Sequence, residues 1–129
     1  MNFSDVCLIT EEVTTLTRFY EVILQAKAVG DHTHAIVQTN GAGLAIYSKR
    51  AAESDMKFDF SRYWGSGNIT LSFNVDDIDV EYERLKAFDV EFVTEPTTYP
   101  WGARSVLFRD PDGNIICFRS KSNEDTENI

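Results

Sequence analysis

Trp101-Gly-Ala-Arg-Ser-Val-Leu-Phe-Arg-Asp-Pro-Asp-Gly-Asn114, running on into Ile115-Ile-Cys-Phe118, reads as strand, tight turn and returning strand. Val106 and Phe108 alternate with Leu107 and Arg109, the period of a pleated strand with one covered face. Asp110-Pro-Asp-Gly-Asn114 is strong turn chemistry. Proline presets φ, Gly113 supplies a positive φ, and Asp or Asn side chains bond nearby backbone.

Upstream, one pattern occurs twice. Phe3 to Thr10 is a short apolar strand. Val13, Leu16, Tyr20 and Ile23 then recur at helical spacing, with Thr14 or Thr15 as the expected cap. Two apolar runs follow, His34–Gln38 and Leu44–Tyr47, joined across Asn40-Gly41, a hairpin signal. The second half opens at Ile69–Val75. Asp76-Asp77 cap a helix expected over Asp77–Phe88, with Ile78, Tyr82 and Leu85 on one face. Strands follow near Val90–Val93, Arg104–Phe108 and Ile115–Arg119. An offset of 65 residues lays Leu8 on Phe73, Thr10 on Val75, Glu12 on Asp77 and Val13 on Ile78. This predicts an α+β fold of tandem β-α-β-β-β modules, at about 3–60 and 68–119, within one domain over 1–119. Met56–Phe60 alternates and is expected to be the fourth strand of the first module. The polar stretch 120–129 is expected to be a flexible tail.

At 129 residues, 43% hydrophobic and 26% charged, the chain has the composition of an ordinary globule with a real core. No apolar run approaches the roughly 20 residues of a membrane span. Met1-Asn-Phe-Ser-Asp-Val-Cys-Leu8 lacks the basic and apolar regions of a secretory signal. Two cysteines are too few for a disulfide scaffold, so a cytoplasmic protein with reduced thiols is expected. The net charge of −9 argues against a nucleic-acid groove or an anionic membrane surface, and it permits a cationic ligand.

The order of these pieces resembles the vicinal oxygen chelate superfamily, which groups glyoxalases, bleomycin-resistance proteins and extradiol dioxygenases. The resemblance rests on Phe19-Tyr20-Glu21, Val75-Asp-Asp-Ile-Asp79, Trp101-Gly102 and Asp110–Asn114, and it covers about residues 3 to 119. Where the family often has Leu-Gly closing the first helix, this chain has Leu24-Gln25. The resemblance implies a curved mixed sheet around a central cleft. It also implies metal ligands at equivalent inward positions of each module's first strand and on the last strands. Those positions hold Asp5, Thr70 and Cys117, the last where metal-binding members have Glu. A fourth ligand, in members that use one, would fall near Phe58–Phe60.

Strand parity agrees with this carry-over. With Val6 and Leu8 towards the helix, Asp5, Cys7 and Ile9 face the cleft. With Leu71, Phe73 and Val75 towards the second helix, Thr70, Ser72 and Asn74 face the cleft. Ile115, Cys117 and Arg119 do the same on the last strand. One carboxylate, one hydroxyl and one thiol are a poor set for a metal that must leave positions open for substrate, so no metal or cofactor is expected. Asp31-His32-Thr33-His34 could place two imidazoles on one side of an extended segment. It sits at the start of an edge-type strand, and a solvent-exposed turn is the favoured reading there. Trp101, whose Trp-Gly dipeptide lies near the cleft in the family, is expected to touch ligand. Trp64, in the aromatic run Phe58–Trp64, is left open between ligand contact and packing.

The favoured expectation is a metal-free protein of the bleomycin-resistance type. It would bind a small aromatic or cationic molecule through Asp5, Cys7, Thr70, Ser72, Asn74, Trp101, Cys117 and Arg119, with no catalytic residue assigned. The alternative is a metal-dependent glyoxalase-type lyase, isomerase or dioxygenase with an altered ligand set. A third reading is a ligand-free structural or regulatory homologue. A homodimer is expected because open sheet edges and apolar surface seek a partner.

Overall fold

The computed structural model describes residues 1, 3–61, 63–65 and 67–120. The chain forms two compact units, residues 1–65 and 66–129, each built on its own mixed sheet. In the first unit, β1 (Asp5–Thr10) is followed by α1 (Val13–Leu24), β2 (Ala28–Gly30), β3 (His34–Val37), β4 (Gly43–Ser48) and α2 (Lys49–Asp55). Its sheet runs β1-β4-β3-β2, with β1 parallel to β4 and the other pairs antiparallel. In the second unit, β5 (Thr70–Asn74) precedes α3 (Ile78–Leu85), β6 (Glu91–Phe92), β7 (Thr97–Thr98), β8 (Arg104–Arg109) and β9 (Ile115–Ser120). The order is β5-β9-β8-β6, with β5 parallel to β9 and β7 also paired to β8.

The duplication holds residue for residue at its start. Asp5 and Thr70 open the first strands and Val13 and Ile78 the helices, both at the expected offset of 65. The stripe Val13, Leu16, Tyr20 and Ile23 is buried, and α1 packs on β3 and β4. Leu8, Ala35, Val37, Leu44 and Ile46 fill the facing side. In the second unit Ile78 and Leu85 lie over β8 and β9, whose Val106, Phe108, Ile116 and Phe118 are buried. Phe108 meets Phe118 edge-on at 5.0 Å and Phe73 meets Phe118 at 6.0 Å. Such pairs add about 0.5–1.5 kcal/mol each beyond the area they bury.

The turn at Asp110–Asn114 forms as its chemistry predicts. The buried Asp110 accepts hydrogen bonds from the Asp112 and Asn114 backbone N–H groups at 2.9 Å and from Asn114 Nδ2 at 2.8 Å. Gly113 takes φ +92°. Asp77 caps α3 through its side chain, accepting from the N–H groups of Asp79 and Val80. The cap of α1 differs from expectation. Thr14 and Thr15 lie inside the first turn, Glu12 is the cap residue without a side-chain bond, and Thr10 Oγ1 accepts the Glu12 N–H instead. The hairpin signalled by Asn40-Gly41 forms as the antiparallel β3–β4 pair, closed by a five-residue loop. The loop spans residues 38–42 and is tied by Thr39 Oγ1, which donates to the Ala42 carbonyl and accepts from the Gly41 N–H.

Met56–Phe60 forms no strand. The module instead gains its extra strand directly after α1, as the three-residue β2, and β4 leads straight into α2, capped by Ser48 Oγ. The alternation of Met56, Phe58 and Phe60 reflects ring packing instead, with Phe58 on Phe60 at 5.9 Å. Nor is the strand after Asp31-His32-Thr33-His34 at an edge, because β2 lies outside β3. Ser120 closes β9, and the rest of the expected tail lies outside the described residues.

Gln25 ends α1 in the left-handed region, φ 51° and ψ 47°. The Ala26 N–H bonds to Glu21 O and the Gln25 N–H to Val22 O, a Schellman closure in which glycine is the least strained residue. Gln25→Gly should therefore raise stability by about 1 kcal/mol, read as a higher urea midpoint at unchanged slope. Gly30 behaves oppositely. At φ +141° it leaves the β2 end so close to β3 that an added Cβ would sit 2.1 Å from the His34 carbonyl oxygen. Gly30→Ala should lower stability by about 1–3 kcal/mol in the same measurement.

Candidate functional site

Each sheet has one face covered by helix and one face left open. In the second unit the covered face carries Leu71, Phe73, Val106, Phe108, Ile116 and Phe118. The open face follows from register. Thr70 lies opposite Ile115, Ser72 opposite Cys117 and Asn74 opposite Arg119. Across β8, Arg109 lies opposite Ile115 and Leu107 opposite Cys117. Thr70, Ser72, Asn74 and Arg119 are exposed and Cys117 is half-buried. Five of the sequence-predicted site residues thus share one face of one strand pair. Arg119 Nε donates to Asn74 Oδ1 at 3.4 Å, which links the two strands on that face.

Trp101 lies in the turn between β7 and β8, closed by Tyr99 N–H to Ala103 O and Gly102 N–H to Tyr99 O. Its ring stacks on Tyr99 at 4.9 Å and 7° between planes, and Trp101 remains 62% exposed. The turn feeds into Arg104 and Ser105, and Ser105 pairs with Arg119. The stacked rings and the Arg119 guanidinium therefore belong to the same end of the sheet.

In the first unit, Asp5 and Cys7 are exposed and Ile9 half-buried, on the open face of β1. Register adds residues that the sequence reading did not place there. Cys7 lies opposite Ala45, Ile9 opposite Tyr47, and across β4 are Ile36 and His34. His34 is on this open face, with its ring 5.2 Å from Tyr47. The carboxylate of Asp31 is engaged locally, accepting from the Thr33 and His34 N–H groups, which holds it below the usual carboxylate range. That is the turn reading of the segment. Among the described residues no group of three or more His, Cys, Asp or Glu side chains is placed to hold a metal ion.

The structure also relocates the fourth family position. Cys117 sits on β9 opposite Ser72, and the equivalent residue opposite Cys7 on β4 is Ala45, not a residue near Phe58–Phe60. A methyl group there donates nothing. In the second unit Thr70 and Cys117 occupy adjacent strands on the same face, one pleat row apart, so the implied positions are brought together there. Their chemistry does not fit the metal. An uncharged hydroxyl is a weak ligand, and one thiol beside it does not reproduce the imidazole and carboxylate set that an open divalent site needs.

Trp64 and Trp101 part company. Lys49 Nζ lies over the Trp64 ring at 4.6 Å, and Phe60 meets the same ring at 4.8 Å. That indole face is occupied by the chain's own cation. An open depression of about 840 Å³ lies nearby, between the starts of α1 and α2, lined in part by Glu11, Glu12, His32 and Lys49. None of the sequence-predicted site residues lines it.

With the open faces established, comparison with known proteins places the chain. The family model for the glyoxalase/bleomycin resistance protein/dioxygenase superfamily matches residues 3–118. The chain belongs to that superfamily. It is similar over 95% of its length to the crystal structure of a glyoxalase/bleomycin resistance protein/dioxygenase from Nocardioides, with TM-score 0.80, 23% identity and 85% of that chain covered. A family enzyme from Burkholderia phytofirmans PsJN matches with TM-score 0.82 at 16% identity, over 95% of this chain and all of that one. At such identities the likeness is one of fold. The uncharacterised protein YetH of Bacillus subtilis (strain 168) is 38% identical over 50 residues, which is 39% of this chain and 41% of that protein.

The two cysteines are free thiols. Partial burial, and secondarily the neighbouring Asp5 carboxylate, push the Cys7 thiol up from its ordinary value. Cys7 is then protonated at neutral pH, although the residue reaches solvent. Iodoacetamide should alkylate Cys7 in the folded protein more slowly at pH 8 than in urea, and Asp5→Asn should speed the folded-state reaction. Peptide mass mapping separates Cys7 from Cys117. A Cys7 rate equal to that of the unfolded chain would refute the shift.

Proposed function

We propose that this protein binds a small molecule carrying a planar group on the open sheet faces, without a metal ion. The observation that carries this reading is the donor set. The family's metal positions on the second sheet hold Thr70 and Cys117, on a face shared with the exposed polar residues Ser72, Asn74 and Arg119. An aromatic stack with a largely exposed Trp101 stands at the end of that face. A polar surface bordered by a ring stack suits a ligand with one flat apolar part and a few hydrogen-bonding atoms. In this reading Ser72, Asn74 and Arg119 supply the polar contacts on the second sheet, and Asp5 and Cys7 supply those on the first.

The same reading includes a homodimer in the cytoplasm. Val29 on the edge strand β2 and Ile36 opposite it on β3 are 62% and 47% exposed, an apolar pair beside an open sheet edge of the kind that associates. No helix among the described residues is long and apolar enough to cross a membrane.

Metal independence is tested by chelation. A metal held only by the folded state at 100 times its Kd would add about 2.7 kcal/mol. EDTA should leave the melting temperature unchanged, and elemental analysis of the purified protein should find no stoichiometric zinc, nickel or iron. A drop of several degrees that Thr70→Val or Cys117→Ala abolishes would establish the metal-dependent lyase or dioxygenase reading instead. Light scattering should give twice the chain mass at micromolar concentration, and a monomer mass would refute the dimer.

A further inference from the structure

We infer that the open face of the second sheet recognises an anionic group, a carboxylate or a phosphate, with Arg119 as its ion-pair partner and Asn74 and Ser72 beside it. The inference rests on the small-molecule reading above and names the chemistry of its ligand.

The second unit contains four arginines: Arg84, Arg104, Arg109 and Arg119. Three are committed to carboxylates of the chain. Arg84 Nη2 lies 2.7 Å from Glu81, Arg104 grips Asp79 through Nε at 3.1 Å and Nη2 at 2.7 Å, and Arg109 Nε lies 3.3 Å from Glu91. Arg109 also donates to the Gly113 carbonyl at 2.8 Å. Arg119 is different. Its contact among the described residues is the neutral Asn74 amide, through Nε, and no carboxylate pairs with it there.

Arg119 is thus the arginine of the second unit held by a neutral amide and not by a carboxylate. The geometry gives it a use. Nε donates to Asn74 at 3.4 Å, and the two Nη nitrogens, without a partner among the described residues, form a planar fork. That fork matches two oxygens of one carboxylate or phosphate. Ser72 follows Asn74 on the same face of β5, about 6.6–6.8 Å along the strand. Its hydroxyl can donate to the same anion or to the next polar atom of the ligand. The Tyr99–Trp101 stack stands at the Arg119 end of the sheet, where it can cover a flat apolar part attached to the anion.

The acidic excess does not counter this. The charged side chains that register places on this face are Arg119, Arg109 and the Glu91 already paired to Arg109. The cationic ligand that the net charge of −9 suggests would therefore meet a face without an unpaired carboxylate among its described residues.

The test titrates the full chain at constant ionic strength with benzoate, phenyl phosphate and benzamidinium, read by calorimetry and tryptophan quenching. Binding of benzoate or phenyl phosphate, with benzamidinium at least tenfold weaker, is expected, and the tighter anion identifies the headgroup class. Arg119→Gln should weaken the anion at least tenfold and Arg119→Lys less, while Arg104→Gln, with its partner on α3, leaves it unchanged. Circular dichroism confirms that each variant is folded. Benzamidinium binding as tightly as the anions, an unaffected Arg119→Gln, or an equal loss in Arg104→Gln overturns the anionic assignment alone. If none of the three probes binds, both this inference and the small-molecule reading fail.

Discussion

The parallel pairing of each unit's first strand with its last is the constraint on which the rest of the structure depends. Phe73 beside Phe118 in the second unit, and Leu8 beside Ile46 in the first, lock that pairing by burying one face under a helix. A strand has a side-chain period of two. Sliding β9 by one residue along β5 would put Cys117 and Arg119 into the core and Phe118 into water. The apolar residues thus choose the register for their own reasons, and the chemistry of the open face follows as its complement.

The two units share this plan and differ in what they display. The first presents Asp5, Cys7, Ala45 and an imidazole against Tyr47. The second presents hydroxyls, an amide, a thiol and a guanidinium. A duplicated fold therefore carries two unlike faces, and among the described residues no three His, Cys, Asp or Glu side chains come together on either to hold a metal ion. The aromatic residues divide in the same way. Phe60 and Trp64 are tied up with Lys49, whereas Trp101 stacks on Tyr99 and keeps most of its surface in solvent.

Charge placement shows how a strongly acidic chain can keep a cationic face. In the second unit much of the acidic charge sits on α3 and in the turns, where it serves local structure. Asp77 caps the helix, Asp110 ties the β8–β9 turn, and Asp79 holds Arg104. The Arg104 guanidinium keeps the Asp79 carboxyl below the usual range. That stabilisation is present above the ordinary carboxylate pKa and is lost as pH falls through the lowered value of the folded state. Net charge describes solubility and long-range steering, and it does not describe one face of one sheet.

What could be read from the sequence was local or periodic. The Asp110–Asn114 turn, the Asp77 cap, the stripe Val13–Leu16–Tyr20–Ile23 and the inward and outward alternation of the strands all depend on neighbours within a few residues. The offset of 65 extended that reading to the duplication. α2 was missed because its seven residues offer only Ala51 and Ala52 as apolar signal, and β2 because three residues carry no period. The false strand at Met56–Phe60 came from an alternation that belongs to ring stacking. Only the tertiary structure decided that Arg119 meets Asn74, 45 residues away, and that Arg104 meets Asp79, 25 residues away. Which arginine of the second unit stays without a carboxylate depends on which strands lie side by side and in what register. Many separate apolar contacts set that register together, and no single stretch of sequence encodes it.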